Sequence, residues 1–220
     1  HRARGRLVAE RTALINQLRA FLLERGITAP QGRRKLERLL PEILADEDNG
    51  LGSRMRRLVE DMRSEWRGLD ERIAAFDDEL AERARADDAA RRLVTIPGIG
   101  VLTATALVAA VGNARTFSRG RDLAAWLGLT PRQATTGGKP RLLGISKRGN
   151  RYLRMLLIHG ARTALPHLAE GNTPLGRWLN GLLQRTHRNV ATVALANKLA
   201  RIAWAVLAGE RRYVAAHMGG

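Results

Sequence analysis

Residues 96–112 read IPGIGVLTATALVAAVG, and after a polar linker residues 122–154 read DLAAWLGLTPRQATTGGKPRLLGISKRGNRYLR. Glycine, hydroxyl and basic side chains gather here between two apolar segments of helical character. Pro97-Gly98-Ile99-Gly100 sets two glycines around one apolar residue, which suits a tight turn with unusual dihedrals. The small apolar run from Val101 to Val111 predicts a helix that starts at that turn. The first N–H groups of such a helix lack partners within it, and together with the helix dipole they favour an anion. Further along, Thr135, Thr136 and Ser146 supply hydroxyls, and Gly137, Gly138, Gly144 and Gly149 allow close backbone approach. Lys139, Arg141, Lys147, Arg148, Arg151 and Arg154 supply positive charge. Phosphoryl transfer needs a positioned nucleophile and positive charge where negative charge develops. The stretch therefore points to phosphate handling, either binding or transesterification. Its β-branched and glycine content between Thr130 and Ser146 permits one short β-hairpin.

Working outward, the segments on either side are helical. Residues 3–25 place Leu7, Leu14 and Phe21 at intervals of seven, with Val8, Ile15, Leu18 and Leu22 beside them. Gly26, Pro30 and Gly32 end that helix, and a shorter one is expected from Leu36 to Leu44 before the polar break Asp46–Gly50. From Leu51 to about Ala86 apolar residues recur every three or four positions, from Met55 through Trp66 to Leu80, with charges of both signs between them. That is the pattern of an exposed, coiled-coil-like helix. Asp77-Asp78-Glu79 and Asp87-Asp88 could suggest a hard cation, but neighbouring helix positions do not point together, so a solvated face is expected. After the central stretch, Gly149–Leu165 predicts an apolar helix, Asn172-Thr173-Pro174 a helix start, and Val190–Leu207 a core helix ended by Gly209. His159, among Leu156, Leu157 and Ile158, is expected to be a packed residue and not a base.

Charge separates two regions. The net charge is +17. Residues 1–90 carry 18 basic and 18 acidic side chains, whereas residues 91–220 carry 20 basic and only three acidic ones. All of the excess lies in the second region, which argues for a polyanionic partner. The basic residues are spread over several segments and form no single amphipathic face, which argues against a membrane surface. No uninterrupted apolar run is long enough to span a bilayer, and no secretory signal opens the chain. Cysteine is absent, which excludes disulfides and thiolate metal sites and fits a reducing cytoplasm. The chain begins with His1 and is expected to be a fragment or a processed product.

The Gly-Ile-Gly corner with Ala104 four residues on resembles a helix-hairpin-helix, a sequence-tolerant clamp on the DNA backbone; an ordinary helix-turn-helix corner is the alternative. The ordered set IPGIG, AAWLGLTPRQ, TTGGK and RLLGISKRGN followed by YLR resembles the C-terminal domain of the insertion-sequence one-ten group of bacterial transposases. That group includes Piv-type DNA invertases and bridge-RNA-guided recombinases. The resemblance extends over nearly the whole chain, because the helices before Ile96 are similar to that family's linker. It implies a second, RuvC-like domain with four acidic metal ligands, absent from these residues, and magnesium bound there, with no cofactor in this chain. It also implies a serine nucleophile just before the paired glycines, which falls on Thr136, or on Thr135 if the register slips by one. Both are threonine here, a departure from the family pattern, and Ser146 is a third candidate.

The expected fold is mainly α: a helical hairpin or coiled-coil arm over residues 1–90, then a compact basic helical domain over residues 91–220. DNA is the expected partner, with a structured guide RNA and a homo-oligomer through the arm also implied. Gly98, Gly100, Gly137, Gly138, Lys139, Arg141, Lys147, Arg148, Arg151 and Arg154 are the expected nucleic-acid contacts, and no metal ligand is expected among these residues. The expected activity is transposition or site-specific recombination by hydroxyl attack on DNA phosphodiesters, dormant without the acidic domain. A non-catalytic helix-hairpin-helix module that only grips DNA, and a purely structural dimer, are the alternatives.

Overall fold

The computed structural model describes residues 1–136 and 138–215. Among them it is mostly helical, with one two-stranded antiparallel sheet, as the sequence predicts. The chain divides into two compact units, His1–Glu79 and Leu80–Gly220.

The first unit is built from α1 (Arg2–Leu23), α2 (Arg33–Ala45) and the start of α3 (Ser53–Ala86). The seven-residue spacing of Leu7 and Leu14 becomes one buried face of α1, joined in the core by Leu36, Leu40, Met62, Trp66, Leu69 and Ile73. The Arg4 guanidinium donates to both carboxylate oxygens of Asp77 (2.5 and 3.1 Å), and Arg11 donates to Asp70 (2.5 Å). The α1 partner moves forward by seven residues as the α3 partner moves back by seven, so the two helices run antiparallel at heptad spacing. The polar break after α2 is ordered by Arg56, which donates to the carbonyls of Leu44 (2.8 Å) and Leu51 (2.9 Å) and to Asn49 Oδ1 (2.9 Å).

The second unit is organised around α9 (Arg188–Ala208), which packs against α4 (Asp88–Val94), α6 (Gly120–Trp126), α7 (Arg151–Glu170) and α8 (Pro174–Leu183). Helix α5 (Val101–Val111) packs on α4 and α7. Ala191, Ala196, Ala200 and Ala203 are fully buried on α9, and such small side chains let several helices approach at once. By length and composition α9 could cross a membrane. Its core-facing side is buried in this unit, and Lys198 and Arg201 interrupt the run, so here it is a core helix. Trp204 Nε1 donates to the carbonyls of Ala114 (3.1 Å) and Phe117 (2.9 Å), tying α9 to the turn before α6.

Helix ends follow local chemistry. Asp87 caps α4 by accepting the Ala90 N–H (2.7 Å), Asn150 caps α7 through Leu153 N–H (3.1 Å), and Thr173 caps α8 with Pro174 in its first turn. One helix end differs from expectation. The helix expected over Gly149–Leu165 instead continues through Pro166 to Glu170. The lost backbone bond is offset because Leu168 and Ala169, beyond the proline, pack against the core.

Candidate nucleic-acid interface

The central stretch folds into a β-ribbon between α6 and α7. Strand β1 (Pro131–Thr136) pairs antiparallel with β2 (Lys139–Ile145), with Thr135 opposite Pro140 and Thr136 opposite Lys139. The turn passes through Gly138 at φ +74°, a conformation that glycine adopts without strain. Gly137 lies outside the described residues, as do the side chains of Thr136 and Lys139. Thr135 and Arg141 are exposed. The two threonines sit at the tip of the ribbon, whereas Ser146 follows Ile145, the partner of Pro131, at its base. Five residues of strand, roughly 17 Å, separate tip from base. Thr136 and Ser146 therefore belong to different places and cannot act as one site.

The base of the ribbon is clamped to the end of α6. Ser146 N–H donates to Thr130 O (2.8 Å) and Lys147 N–H to Gly128 O (3.1 Å). Gly128 (φ +70°) and Gly149 (φ +87°) make the crossing possible. A Cβ on Gly128 would lie 1.8 Å from Arg148 O, and one on Gly149 would lie 1.8 Å from Trp126 O. Lys147 itself has φ +58°, uncommon for a residue with a side chain. Arg154 sits beneath this crossing, only 9% exposed, and its Nη1 donates to Leu127 O (2.9 Å) and Arg148 O (3.2 Å). The sequence groups Arg154 with the nucleic-acid contacts, but the structure spends its guanidinium on holding the loop. Lys147, Arg148 and Arg151, in contrast, are exposed around the same crossing.

The Gly-Ile-Gly corner lies elsewhere. Gly98 (φ +88°) packs against α7, where a Cβ would meet Gly160 O at 2.9 Å. A Cβ on Gly160 would lie 1.9 Å from Gly98 O. Gly98 is thus a packing residue against a partner the sequence did not single out. Gly100 is exposed, caps α5 and has open space around it. Of the two, Gly100 is the one placed to present free N–H groups. Gly160 lies about 14 Å along α7 from Arg151, so the corner and the ribbon base are separate surfaces.

Between the ribbon and α9 lies an open groove of about 610 Å³, where Lys147, an expected contact, is joined by Lys198 and Arg201, which the sequence did not single out. Lys198 reaches over the Trp178 ring, its Nζ 4.8 Å from the centroid. Burial, and then repulsion from Arg201, hold the Lys198 ammonium below the usual lysine range.

Several acidic side chains are already engaged. Asp77 is taken by Arg4, Asp87 caps α4, and Asp88 pairs with Arg91 (2.9 Å) and with Arg92. After residue 90, Asp122 accepts the Arg119 N–H (3.0 Å), Glu210 lies 3.7 Å from the Arg115 guanidinium, and Glu170 ends α7. Among the described residues no three His, Asp or Glu side chains gather as a magnesium site would require, so these residues do not fit that ion.

Comparison with known proteins finds similarity to one group. Residues 90–173 match the transposase IS116/IS110/IS902 family. A probable family 20 transposase of Pseudomonas aeruginosa is 47% identical over 214 residues, covering 97% of this chain and 63% of that protein. The transposase for insertion sequence element IS1111A of Coxiella burnetii is 46% identical over 210 residues, 96% of this chain and 58% of that protein. The transposase for insertion sequence element IS1328 of Yersinia enterocolitica is 44% identical over 206 residues, 94% of this chain and 61% of that protein. The chain therefore spans roughly three fifths of the length of these curated relatives.

Proposed function

We propose that this chain, whose residues 90–173 are those of the IS116/IS110/IS902 transposase family, is the nucleic-acid-binding and nucleophile-bearing part of a transposase. The observation that carries the reading is the match of nearly the whole chain to proteins named transposases, reaching 47% identity over 214 residues. The charge balance agrees, since 20 basic and three acidic side chains after residue 90 suit a polyanion. DNA is the partner in this reading. A structured guide RNA belongs to it too on the strength of the family resemblance, and a homo-oligomer through the helical arm on the strength of its heptad-like spacing.

Thr136 is the nucleophile in this reading. Its Oγ1 attacks a DNA phosphorus, one P–O bond forms, another breaks, and the displaced sugar oxygen takes the proton. The exchange leaves a covalent protein–DNA link and needs no outside energy source. Thr136 is preferred to Thr135 because it immediately precedes Gly137-Gly138, where the family resemblance implies the nucleophile. Positive charge from Lys139 and Arg141, close by in sequence, would stabilise the developing negative charge. Ser146, at the far end of the ribbon, is the weakest of the three candidates. Threonine offers the same oxygen as serine with a stiffer first torsion.

The test requires a full-length transposase containing these residues in an assembly that joins DNA strands. Thr136→Val is expected to abolish strand joining and the trapped covalent species, Thr136→Ser to keep both, and Thr135→Val to leave both nearly unchanged. Full joining by Thr136→Val would remove Thr136 from this role.

A further inference from the structure

The groove between β2 and α9 has a composition that ordinary packing does not require. Leu129, Ile145, Val193 and Ala194 form its apolar wall. Lys147, Lys198 and Arg201 line the same groove, and no carboxylate does. Cations that gather beside an apolar wall without a carboxylate repel one another and lose hydration, so an anion with an apolar body is the complementary occupant. Lys198 is also positioned: the Trp178 ring beneath its ammonium holds the charge inside the groove. Lys147 enters from a left-handed backbone fixed by its N–H bond to Gly128 O.

We propose that this groove holds one unstacked nucleotide of a single-stranded nucleic-acid segment. The base lies on the apolar wall beside Trp178, and its phosphate lies against Lys147, Lys198 and Arg201. Size decides between this and the other acidic, partly apolar occupant, an amphipathic helix. A helix docks through anchors spread over two or more turns, which needs a long trough. A space of about 610 Å³ belongs to the class of pockets that take a small molecule. A nucleotide also supplies what the lining asks for: a flat apolar face for the wall and full negative charge for the cations. The proposal rests on the nucleic-acid reading above and adds to it a site for a base outside a duplex.

The experiment uses the chain as it stands and three probes: a single-stranded oligothymidylate of about ten nucleotides, a duplex of equal length, and an acidic amphipathic peptide. Tryptophan emission and affinity are both recorded. The oligothymidylate is expected to quench emission, and Trp178→Phe to remove most of that quenching. Lys198→Gln and Ala194→Phe are each expected to weaken the single strand about tenfold and the duplex by less than about twofold. Thermal melting checks that Ala194→Phe still folds; Lys198→Gln, which adds no bulk, decides the matter if it does not. Single-strand affinity untouched by Lys198→Gln overturns the groove site while duplex binding keeps the broader reading. Binding of neither nucleic acid overturns both. Quenching by the peptide, and not by the oligothymidylate, overturns the nucleotide and makes the groove a protein-docking surface.

Discussion

Arg154 and Arg148 carry the same charge six residues apart, and the fold uses them differently. The Arg154 guanidinium is buried and donates to the carbonyls of Leu127 and Arg148. Arg148 contributes its carbonyl to that clamp and leaves its side chain exposed. Arg154→Met should therefore cost about 1–3 kcal/mol of stability, because it strands buried acceptors. Arg148→Ala should change stability by less than about 0.5 kcal/mol, yet weaken nucleic-acid binding and lower its salt slope by about one. Urea unfolding and binding titrations of both variants check the pair, and equal stability losses would refute the division. Composition cannot separate the two arginines. Periodicity can in part: Arg154 stands three residues before Leu157 and seven before Ala161, on the buried face of α7. The corner glycines teach the same lesson. The Gly-Ile-Gly turn was legible, but that Gly98 packs on Gly160 depends on a contact 62 positions away, which no local pattern encodes.

At the scale of elements, the heptad-like spacing of α1 and α3 was enough to predict an arm of paired helices, and the pairing is found inside the chain. Apolar periodicity sets which face is buried, and ion pairs at matching intervals set direction. Asp70 is the most connected of these, receiving Arg11 at 2.5 Å and Arg33 at 2.6 Å. It is partly exposed, so screening limits its value. Asp70→Ala should lower stability by about 1 kcal/mol, more at low salt than at high salt. Arg33→Ala should cost less, because Arg11 still serves the carboxylate. Thermal melts at two salt concentrations check both, and a salt-independent Asp70 effect would show that packing and not charge is responsible. Helix ends were legible where a cap or a glycine marks them, as at Thr173 and Gly209. They were not where tertiary packing carries a helix past its expected end, as beyond Leu165 in α7. The ribbon was legible from its glycines and β-branched residues, whereas the groove beside it was not, because Lys147, Trp178 and Lys198 come from three separate segments.

Across the whole molecule the deciding quantity is where the charge lies. Residues 1–90 balance 18 basic against 18 acidic side chains, and several of these are consumed in pairs such as Arg4–Asp77 and Arg11–Asp70. After residue 90 the basic side chains outnumber the acidic ones 20 to three, so most cannot find an internal partner. A polyanion that neutralises them releases its own condensed counterions, and the logarithm of affinity should fall linearly with the logarithm of salt. If about six to ten phosphates are contacted, affinity for a DNA duplex should drop by roughly a thousandfold to a hundred-thousandfold between about 50 and 200 mM salt. Paired reversals in the intact chain locate the effect without cutting it. Lys147→Glu with Arg148→Glu should flatten the salt slope by about two or more, because two exposed contacts are lost and two repulsions added. Arg34→Glu with Lys35→Glu makes the same change in net charge on exposed residues of α2 and should leave the slope nearly unchanged. Equal effects from the two pairs would mean that net charge alone governs binding, and a slope near zero in the unmodified chain would remove the electrostatic basis for assigning it a nucleic-acid partner.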